Sequence, residues 1–459
     1  MKKYLVLGLG RSGVAAAELL AKSADVSAWD SKAEEKFSPE LTARLRALGV
    51  KLYFGDFPQE SYDELVLSPG VPPEIEPVRM AAEGGAVISG ELQLAYENAR
   101  GHFLAITGTN GKTTTTALLG EMEKAAGRKT EVVGNIGLPV TSVAETSDED
   151  TWLVTEVSSF QLSTISSFRP EVSAILNITP DHMDRHKTME EYTRVKHLVH
   201  ANQTPDQYFV FNADDPATLE SVKAMDITPK LVPFSHKLGF DELEKLSRGS
   251  HCYAIEDDGK LYIVNQSRKR FICTKDEIYI PGTHNLENAL AASAMAFFSG
   301  VDIPCIAECL RSFKGVEHRI EFIREYKGVR YVNDSKGTNP DSTEKAIEAV
   351  KAPILLIAGG YDKGSSFDEL ISKFGGKVEY LLLLGKTADK IEAAALAGGF
   401  PKERIVRCKD LDECVGRGSE LAVPGATVLL SPACASWDMY GSYEERGEHF
   451  RRLANALGE

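Results

Sequence analysis

The sequence predicts an α/β protein of three domains, and three observations support this prediction. The chain has 459 residues, which is too long for one hydrophobic core and suits two or three. Buried-strand candidates alternate with helix-like segments along the chain. These strands run into loops rich in Gly, Ser, Lys or Asp, as in α/β folds that bind ligands at the carboxyl ends of their strands. The expected domains are residues 1–93, 94–315 and 316–459.

The first domain opens with a glycine loop between a strand and a helix. Its elements are a strand at 4–7, the loop Gly8-Leu9-Gly10-Arg11-Ser12-Gly13, a helix at 14–22, a strand at 26–29 ending at Asp30, and a strand at 65–67 ending in Ser68-Pro69-Gly70. The motif G-x-G-x-x-G with an acid about 20 residues later is the fingerprint of a Rossmann dinucleotide site. A dinucleotide fold needs two mononucleotide halves, and the next phosphate loop, near residue 108, has a different signature. We therefore expect room for one nucleotide diphosphate group and not for NAD.

The second domain contains the most informative motif, Gly108-Thr109-Asn110-Gly111-Lys112-Thr113-Thr114. It follows a hydrophobic run at 102–106 and precedes a helix-like segment that begins at Thr113. Backbone N–H groups of such a turn close around phosphate oxygens, and the helix N-terminus adds positive potential. Lys112 would reach the outer phosphates and the Thr113 hydroxyl would hold Mg²⁺. Ile106 stands where the longer motif has glycine, so the match is to the short form G-x-x-G-K-T; the alternative is a Gly/Thr-rich turn with a chance lysine.

Two further polar segments of the second domain follow strand candidates. Glu156 lies at the end of a strand at 151–157, where a carboxylate could hold a metal beside the phosphate loop. The alternative for Glu156 is an exposed acid at a strand end. The segment Asp181-His182-Met183-Asp184-Arg185-His186 follows a strand at 172–178 and could ligate Mg²⁺ or position a substrate. The alternative there is a solvated polar loop. Helices are expected at 190–200 and 286–298.

The third domain repeats the pattern of strands that end in polar loops. Strand candidates lie at 329–332, 354–358, 380–384 and 427–430, and a helix at 342–350 is expected to be capped near Asp341 or Ser342. The loops are Asn333-Asp334-Ser335-Lys336, Gly359-Gly360-Tyr361-Asp362-Lys363-Gly364 and Ser431-Pro432-Ala433-Cys434-Ala435-Ser436. Lysines and hydroxyls at adjacent strand ends predict an anion-binding cleft. Gly-rich loops without chemistry are the alternative.

Composition restricts the functional classes. Hydrophobic residues make up 43% and charged residues 26% of the chain, as in ordinary soluble proteins. The formal charge of −15 argues against a nucleic-acid-binding surface. No apolar run approaches the roughly 20 residues of a membrane span, so we expect no membrane insertion and a cytoplasmic location. The seven cysteines are scattered and predict neither a disulfide framework nor a zinc site.

Taken together and in order, these segments resemble the Mur ligases, the ATP-dependent amino-acid ligases of bacterial cell-wall synthesis. The matching segments are G-L-G-R-S-G at 8–13, S-P-G-V at 68–71, G-T-N-G-K-T-T at 108–114, G-N-I-G at 134–137, E-V-S-S-F-Q-L at 156–162, L-N-I-T-P-D-H-M-D-R-H at 176–186, G-T-H-N-L-E-N-A at 282–289, E-H-R at 317–319, N-D-S-K at 333–336 and S-P-A-C-A-S at 431–436. The short phosphate loop with Ile106 is the form of this family. The resemblance implies a Rossmann-like N-terminal domain, a P-loop-type central ATPase domain and a Rossmann-like α/β C-terminal domain.

The resemblance also implies a reaction. ATP would phosphorylate the carboxylate of UDP-N-acetylmuramoyl-L-alanine, and the amine of D-glutamate would attack the acyl phosphate and expel phosphate. It implies a cytoplasmic bacterial enzyme of peptidoglycan synthesis that uses ATP and two Mg²⁺ ions and acts as a monomer on small-molecule substrates. Sibling Mur ligases that add L-alanine or diaminopimelate are the nearest rivals.

The family's functional positions transfer to this chain as expectations. ATP would be bound by Gly108, Thr109, Asn110, Gly111, Lys112, Thr113, Thr114, Asn288, Arg319 and Asp334. The UDP-linked substrate would be bound by Arg11, Ser12, Asp30, Ser31, Ser68, Gly70, Asn135 and Ser158. D-Glutamate would be bound by Lys336, Thr338, Lys363, Ser436 and Tyr443. The metal ligands would be Thr113, Glu156, His182 and Lys196, with Lys196 carried as a carbamate. The catalytic residues would be Lys112, Glu156, His182 and Lys196.

Two positions depart from the family pattern. Gly337 stands where alanine is commoner, which would loosen the turn after Lys336, and Trp437 is large for the edge of a glutamate pocket.

Three other classes of protein are alternatives to a Mur ligase. A folylpolyglutamate synthase shares the phosphate loop but lacks the first glycine-rich domain. An NAD-dependent oxidoreductase has no use for the loop at 108–114. A non-catalytic nucleotide-binding module would bind ATP without releasing phosphate.

Overall fold

A computed structural model of the protein describes residues 1–362 and 364–458. These residues form three β-sheets with helices packed against them. The chain divides into two compact units. The first unit contains Met1–Ile178, Glu190–Ile278 and Glu287–Ser312, and includes two of the sheets. The second unit contains Thr179–Met189, Tyr279–Leu286 and Phe313–Glu459, and includes the third sheet.

The N-terminal sheet has five parallel strands in the order β3-β2-β1-β4-β5. The strands are β1 (Lys3–Leu7), β2 (Asp25–Asp30), β3 (Lys51–Phe54), β4 (Glu64–Leu67) and β5 (Val87–Gly90). The helices are α1 (Arg11–Leu20), α2 (Pro39–Ala47), α3 (Glu76–Glu83) and α4 (Glu91–Asn98). Because β1 and β4 lie side by side, the loops after them, at residues 8 and 68, meet at one edge of the sheet.

The central sheet has nine strands in the order β14-β13-β12-β11-β10-β9-β6-β8-β7. The strands are β6 (His102–Thr107), β7 (Lys129–Gly134), β8 (Thr151–Glu156), β9 (Val172–Ile175), β10 (Tyr208–Asn212), β11 (Lys230–Ser235), β12 (Cys252–Asp257), β13 (Lys260–Asn265) and β14 (Arg268–Thr274). Strands β6 to β12 pair in parallel, and β13 and β14 continue the sheet as an antiparallel meander. The associated helices are α5 (Lys112–Ala125), α6 (Ser159–Leu162), α8 (Met189–His197), α9 (Pro216–Ala224), α10 (Phe240–Leu246), α11 (Thr283–Ser299) and α12 (Ile303–Ser312).

Helix α4 crosses the expected domain boundary at residue 93 and contacts the central part of the first unit. The Glu91 carboxylate accepts hydrogen bonds from the Thr141 backbone N–H at 2.7 Å and the Thr141 hydroxyl at 2.8 Å. The Gln93 side-chain oxygen accepts the backbone N–H groups of residues 166, 167 and 168 at 2.9–3.2 Å. Both side chains are almost completely buried. Helix α4 therefore belongs to the packing of both sheets in this unit.

The third sheet has six strands in the order β15-β16-β20-β17-β18-β19, and β15 is its antiparallel edge strand. The strands are β15 (Glu321–Tyr326), β16 (Val329–Asn333), β17 (Ile354–Ala358), β18 (Val378–Leu383), β19 (Ile405–Arg407) and β20 (Thr427–Leu430). The helices of the second unit are α7 (Met183–His186), α13 (Pro340–Ala349), α14 (Asp368–Ser372), α15 (Ala388–Ala397), α16 (Leu411–Leu421) and α17 (Tyr443–Ala456). The expected cap of α13 at Asp341 or Ser342 was wrong. Asn339 is the cap, because its side chain accepts the Ser342 N–H at 2.8 Å.

The third sheet is buried on both faces, which explains its continuous apolar strands. Successive residues of one strand point to opposite faces of the sheet. Leu356 and Leu381 therefore join one hydrophobic cluster, while Leu355 and Leu382 join the other. Helices cover both faces, as in other parallel sheets. The fold class is thus α/β, as the sequence predicts.

Within the described part of the chain, no helix has the length and apolar character needed to cross a membrane. The seven cysteines are free thiols.

Candidate active site

The loop between β6 and α5 has a backbone shape that requires glycine at two positions. Gly108 has φ 154° and Gly111 has φ 83°, both in the region that side chains disfavour. A Cβ atom on Gly111 would lie 2.4 Å from the side-chain oxygen of Asn288 in α11. The absence of a side chain at this position therefore allows α11 to approach the loop closely.

Two asparagines hold this loop in place. The Thr109 N–H donates to the Asn177 carbonyl at 2.9 Å, and the Asn110 N–H donates to the Asn177 side-chain oxygen at 2.8 Å. The Asn177 amide returns a hydrogen bond to the Asn110 carbonyl at 3.1 Å. On the other side, the Thr115 hydroxyl donates to Asn288 at 3.2 Å. Asn177 was missing from the expected site residues, although its place directly after β9 was a usable signal.

Lys112 lies across the loop that it follows. Its ammonium donates to the carbonyls of Gly108 at 2.8 Å and Thr109 at 2.7 Å. The adjacent Thr113 is buried in the first turn of α5, and the first N–H groups of an α-helix have no acceptor within the helix. The positive charge and the helix N-terminus thus occur together, as phosphate binding requires.

Glu156 is a buried carboxylate beside the phosphate loop, so its alternative as an exposed acid was wrong. It is 1% exposed and lies opposite Ile106 in the pairing of β8 with β6. One carboxylate oxygen accepts the Asn135 side-chain amide at 2.8 Å. The other oxygen is buried and has no hydrogen-bond donor among the described residues. A buried, undonated carboxylate oxygen is costly unless a cation binds it, so this donor set fits Mg²⁺.

Lys196 is also buried, being 1% exposed in α8. Its side-chain nitrogen lies 4.4 Å from the centroid of the Tyr192 ring. Tyr192 is itself buried, and its hydroxyl lies 3.3 Å from the hydroxyl of Thr109 in the phosphate loop. Lys196 is therefore connected to the phosphate loop through one aromatic side chain.

The glycine loop of the N-terminal sheet is tightly packed at its base. A Cβ atom on Gly13 would lie 1.8 Å from the Gly8 carbonyl oxygen. The Ser68 hydroxyl donates to the same carbonyl at 2.8 Å. The Asp30 carboxylate accepts the backbone N–H groups of Leu9 at 2.8 Å and Lys32 at 2.9 Å. Asp30 and Ser68 therefore shape the loop.

The other residues expected at the UDP-linked substrate lie around this loop or near Glu156. Arg11 donates to the Gly137 carbonyl, which places it beside the segment that contains Asn135. Ser158 caps α6, because its hydroxyl accepts the Gln161 N–H at 3.2 Å. Ser12 is half-buried, and Ser31 and Gly70 are exposed.

In the second unit, Asp334 is buried at the end of β16. Its carboxylate accepts hydrogen bonds from the Ser431 hydroxyl at 2.7 Å and the Ile320 N–H at 3.2 Å. Burial raises the pKa of Asp334 to about 6, against the opposing effect of the Arg319 charge. A Cβ atom on Gly337 would lie 2.4 Å from the Asp334 carboxylate. The expectation that Gly337 loosens the turn was therefore wrong, since the lack of a side chain permits close packing.

Two of the residues expected to bind D-glutamate, Lys336 and Thr338, closely follow Asp334 in the sequence. The Lys336 ammonium is 5.1 Å from the centroid of the Tyr443 ring, and the Thr338 N–H donates to the Lys336 carbonyl at 2.9 Å. Ser436 is 3% exposed. Trp437 is 64% exposed and its ring lies 5.6 Å from that of Tyr361. Lys363 lies outside the described residues.

His182 and Arg319 also belong to the second unit. His182 has φ 55°, and its backbone N–H donates to the Asp181 side chain at 2.9 Å. Its imidazole Nε2 lies 3.6 Å from the same carboxylate, and one third of its side chain is exposed. Arg319 is half-buried next to His318.

A glycine phosphate loop with a lysine, a helix N-terminus and a buried carboxylate defines an enzyme that uses a nucleoside triphosphate. Family models agree along most of the chain. The Mur ligase MurD-like N-terminal domain matches residues 2–90, the Mur ligase middle domain residues 106–296, and the Mur ligase glutamate ligase domain residues 318–434. The chain belongs to the Mur ligase family.

Full-length relatives of this chain within the family carry the name of one particular ligase. The UDP-N-acetylmuramoylalanine–D-glutamate ligase of Caldanaerobacter subterraneus subsp. tengcongensis is 47% identical over 99% of this chain and 98% of its own length. The ligase of the same name from Clostridioides difficile is 44% identical over 99% of both chains.

Solved structures share the fold at lower identity. UDP-N-acetylmuramate-alanine ligase MurC of Thermotoga maritima has a TM-score of 0.61 and 19% identity over 99% of both chains. MurF of Acinetobacter baumannii has a TM-score of 0.62 and 16% identity over 99% of this chain and 93% of its own. These two likenesses concern the three-domain architecture alone.

Proposed function

We propose that this protein is an ATP-dependent, ADP-forming ligase that joins D-glutamate to UDP-N-acetylmuramoyl-L-alanine in peptidoglycan precursor synthesis. The observation that carries this conclusion is the 43–47% identity, over 99% of the chain, to relatives named for that reaction. The glutamate ligase domain at residues 318–434 agrees with it. The phosphate loop and the buried Glu156 supply the parts that ATP chemistry needs.

The reaction needs ATP because an amine does not displace hydroxide from a carboxylate at neutral pH. Transfer of the γ-phosphoryl group to the L-alanine carboxylate gives an acyl phosphate and ADP. The D-glutamate nitrogen then bonds to the acyl carbon, a proton leaves the nitrogen, and the carbon–oxygen bond to phosphate breaks. The protein contributes position and charge, since holding the reactants together and neutralising the phosphoryl oxygens lowers the barrier.

Roles in the first unit follow from the contacts of each side chain. Residues 108–114 bind the ATP phosphates through the Lys112 ammonium and through loop N–H groups other than those of Thr109 and Asn110, which donate to Asn177. Thr113 and Glu156 would hold Mg²⁺, which would neutralise phosphate charge. The hydrogen bond from Asn135 keeps the Glu156 carboxylate in one orientation. Asn288 supports the loop through Thr115.

A carbamate on Lys196 is the proposed ligand for a second Mg²⁺. A buried amine is biased toward its neutral form, because removal from water penalises the ammonium. The neutral nitrogen bonds to the carbon of CO₂ and releases a proton, which gives an anionic oxygen ligand of the kind Mg²⁺ prefers. Its burial supports this role. His182 is proposed as a further ligand on the family resemblance.

Lys196→Ala tests the carbamate directly. We expect a loss of activity of at least about 100-fold, the scale of an electrostatic stabiliser, and partial recovery when acetate or formate is added. Arg194→Ala, in the same helix but exposed, is the matched control and should keep parental activity. An active Lys196→Ala enzyme, or no carboxylate-dependent recovery, contradicts the proposed carbamate.

The remaining assignments follow the domains. The N-terminal domain, residues 1–93, holds the uridine diphosphate end; the central domain, 94–315, holds ATP; and the C-terminal domain, 316–459, holds the amino acid. The UDP-linked substrate is assigned to Arg11, Ser12, Asp30, Ser31, Ser68, Gly70, Asn135 and Ser158. D-Glutamate is assigned to Lys336, Thr338, Lys363, Ser436 and Tyr443, and Arg319 and Asp334 are assigned to the nucleotide. We propose that the enzyme acts as a monomer.

Phosphate release with UDP-N-acetylmuramoyl-L-alanine across a panel of amino acids tests the function. Release should need ATP, Mg²⁺ and D-glutamate together, and L-glutamate should be ineffective. Comparable turnover with L-glutamate, L-alanine or diaminopimelate would indicate a sibling ligase. ATP binding without phosphate release under every combination would indicate a non-catalytic module.

A further inference from the structure

Asp214, His236 and Glu287 form a side-chain cluster in the first unit that the ligase mechanism does not use. Asp214 lies after β10, His236 lies directly after β11, and Glu287 lies in α11. Strands β10 and β11 are parallel neighbours, so the loops after them meet at one edge of the sheet. We call these three residues the His236 cluster.

The ligand atoms of the His236 cluster have the spacing of a metal site. The Nε2 atom of His236 is 3.3 Å from a Glu287 carboxylate oxygen and 3.6 Å from an Asp214 carboxylate oxygen. All three ligand atoms lie within 4.8 Å of one another. Ligands bound tetrahedrally at Zn–N and Zn–O distances of about 2.0–2.1 Å are about 3.4 Å apart. The two separations from His236 Nε2 are close to this value, while the separation of the two carboxylates is at most 4.8 Å.

The imidazole nitrogen has no other described use. His236 Nε2 is buried and lies close to both carboxylates without well-aligned hydrogen-bond geometry, and the Glu287 carboxylate raises the pKa of the imidazole. The nitrogen and the oxygens are thus near one another without the alignment of hydrogen bonds. A metal ion between these atoms would use the nitrogen and the two carboxylates as its ligands.

Asp214 is held rigidly enough to serve as a ligand. One of its oxygens accepts the Ser235 hydroxyl, and the other accepts the His236 backbone N–H at 2.8 Å. The Asp214 side chain is 2% exposed, while that of Glu287 is 21% exposed. Hydrogen bonds that fix a ligating carboxylate are typical of metal sites, and the partly exposed Glu287 leaves a path for an ion.

We propose that the His236 cluster binds one transition-metal ion of the Zn²⁺ class, separately from the Mg²⁺ of the phosphate loop. One imidazole and two carboxylates form a ligand set that suits Zn²⁺, Mn²⁺ or Co²⁺, since imidazole nitrogen is a common ligand of transition-metal ions. Three protein ligands leave a coordination position for water. The ion would link the loops after β10 and β11 to α11.

The position of Glu287 gives this site a consequence for the phosphate loop. Glu287 precedes Asn288, whose side chain accepts the Thr115 hydroxyl and lies against Gly111. An ion bound to Glu287 would restrict the part of α11 that carries Asn288. The proposed ion is therefore structural, and it supports the loop without touching the reactants.

Metal retention by the full-length protein tests the proposal. Protein stripped with a chelator is dialysed against Zn²⁺ in excess Mg²⁺, without nucleotide, and its zinc content is measured; Co²⁺ is added in a parallel sample for its visible absorption. We expect one equivalent of bound Zn²⁺ and an absorption band typical of four-coordinate Co²⁺. His236→Gln should weaken Zn²⁺ binding by at least about 100-fold, since it removes one of three ligands.

Two further variants make the outcome decisive. His251→Gln removes another histidine that pairs with a glutamate, Glu244, outside the cluster, and should bind Zn²⁺ as the parent does. Glu287→Gln keeps the shape of its side chain and should also lose Zn²⁺. It takes the place of His236→Gln in the test if that variant fails to fold. Zinc binding that survives both cluster variants would mean that other residues bind it, such as the cysteines or the proposed Mg²⁺ ligands. A parent protein that retains no Zn²⁺ would mean that the carboxylates only share a proton with His236, and either result overturns the proposal.

Discussion

At the scale of single residues, Lys112 is the side chain that we propose to neutralise the charge of the transferred phosphoryl group. Its ammonium donates hydrogen bonds to two loop carbonyls, those of Gly108 and Thr109. We expect Lys112→Ala to lower kcat/KM by at least ~3 kcal/mol, the scale of removing one electrostatic stabiliser. Initial-rate measurements of phosphate release check this. Lys124→Ala on the same helix, where the side chain is 49% exposed, should leave the rate unchanged. A Lys112→Ala enzyme within tenfold of the parent would show that the loop is only a turn.

Asp334 should make stability depend on pH. Burial raises its pKa from 3.8 to about 6, so between these pH values the folded protein holds a proton that the unfolded chain releases. The resulting stability is fully present below about pH 4 and is lost as pH rises through 6. At about 1.4 kcal/mol per pKa unit, the loss is about 3 kcal/mol.

Asp334→Asn removes this titration. The Tm of the variant should therefore rise relative to that of the parent by several degrees between pH 4 and pH 7. Asp389→Asn, at a side chain that is 90% exposed, is the control and should follow the parent at both pH values. A constant difference in Tm between Asp334→Asn and the parent would contradict the raised pKa.

At the scale of one element, helix α16 contains two glycines with opposite expected responses to alanine. Gly416 is exposed and an added Cβ would meet nothing within 4 Å, so Gly416→Ala should stabilise the protein by about 0.5–1 kcal/mol through helix propensity. An added Cβ on Gly418 would lie 3.2 Å from Val428 and 3.4 Å from Leu382. Gly418→Ala should destabilise by about 1 kcal/mol, because Val428 and Leu382 would have to shift by a few tenths of an ångström to admit the methyl group. Thermal melting of both variants checks this, and equal shifts would contradict the packing.

The elements that the sequence predicts are those with glycine loops or continuous apolar runs. The strand at 102–106 and the helix after Lys112 are present because the glycines and the buried run indicate both ends. The meander of β12, β13 and β14 was not predicted, since its strands carry many polar residues. The Asp258-Gly259 pair between β12 and β13 was a usable hairpin signal.

For the whole molecule, the order of motifs was sufficient to predict the α/β class, the family and the reaction. The burial of individual polar side chains could not be predicted in the same way. Glu156 and Lys196 are both 1% exposed, yet the sequence around each also allows a surface position. Burial depends on which distant segments pack over a residue, as when α11 approaches Gly111. The expected cofactor therefore can be predicted from sequence motifs, whereas the burial of a polar side chain can be predicted only once the fold is known.

Helix α4 determines where this chain can be divided for work on its parts. A cut after residue 93 would leave Glu91 and Gln93 on one fragment and the backbone groups they bind, at residues 141 and 166–168, on the other. The shorter fragment would expose two side chains that are buried in the intact protein, and the longer one would lose the partners of four backbone N–H groups. The residues after α4, near 99–101, offer a cut outside the helix. Even there, the central fragment lacks these hydrogen bonds, so the ATP-binding region is better studied with its N-terminal sheet attached.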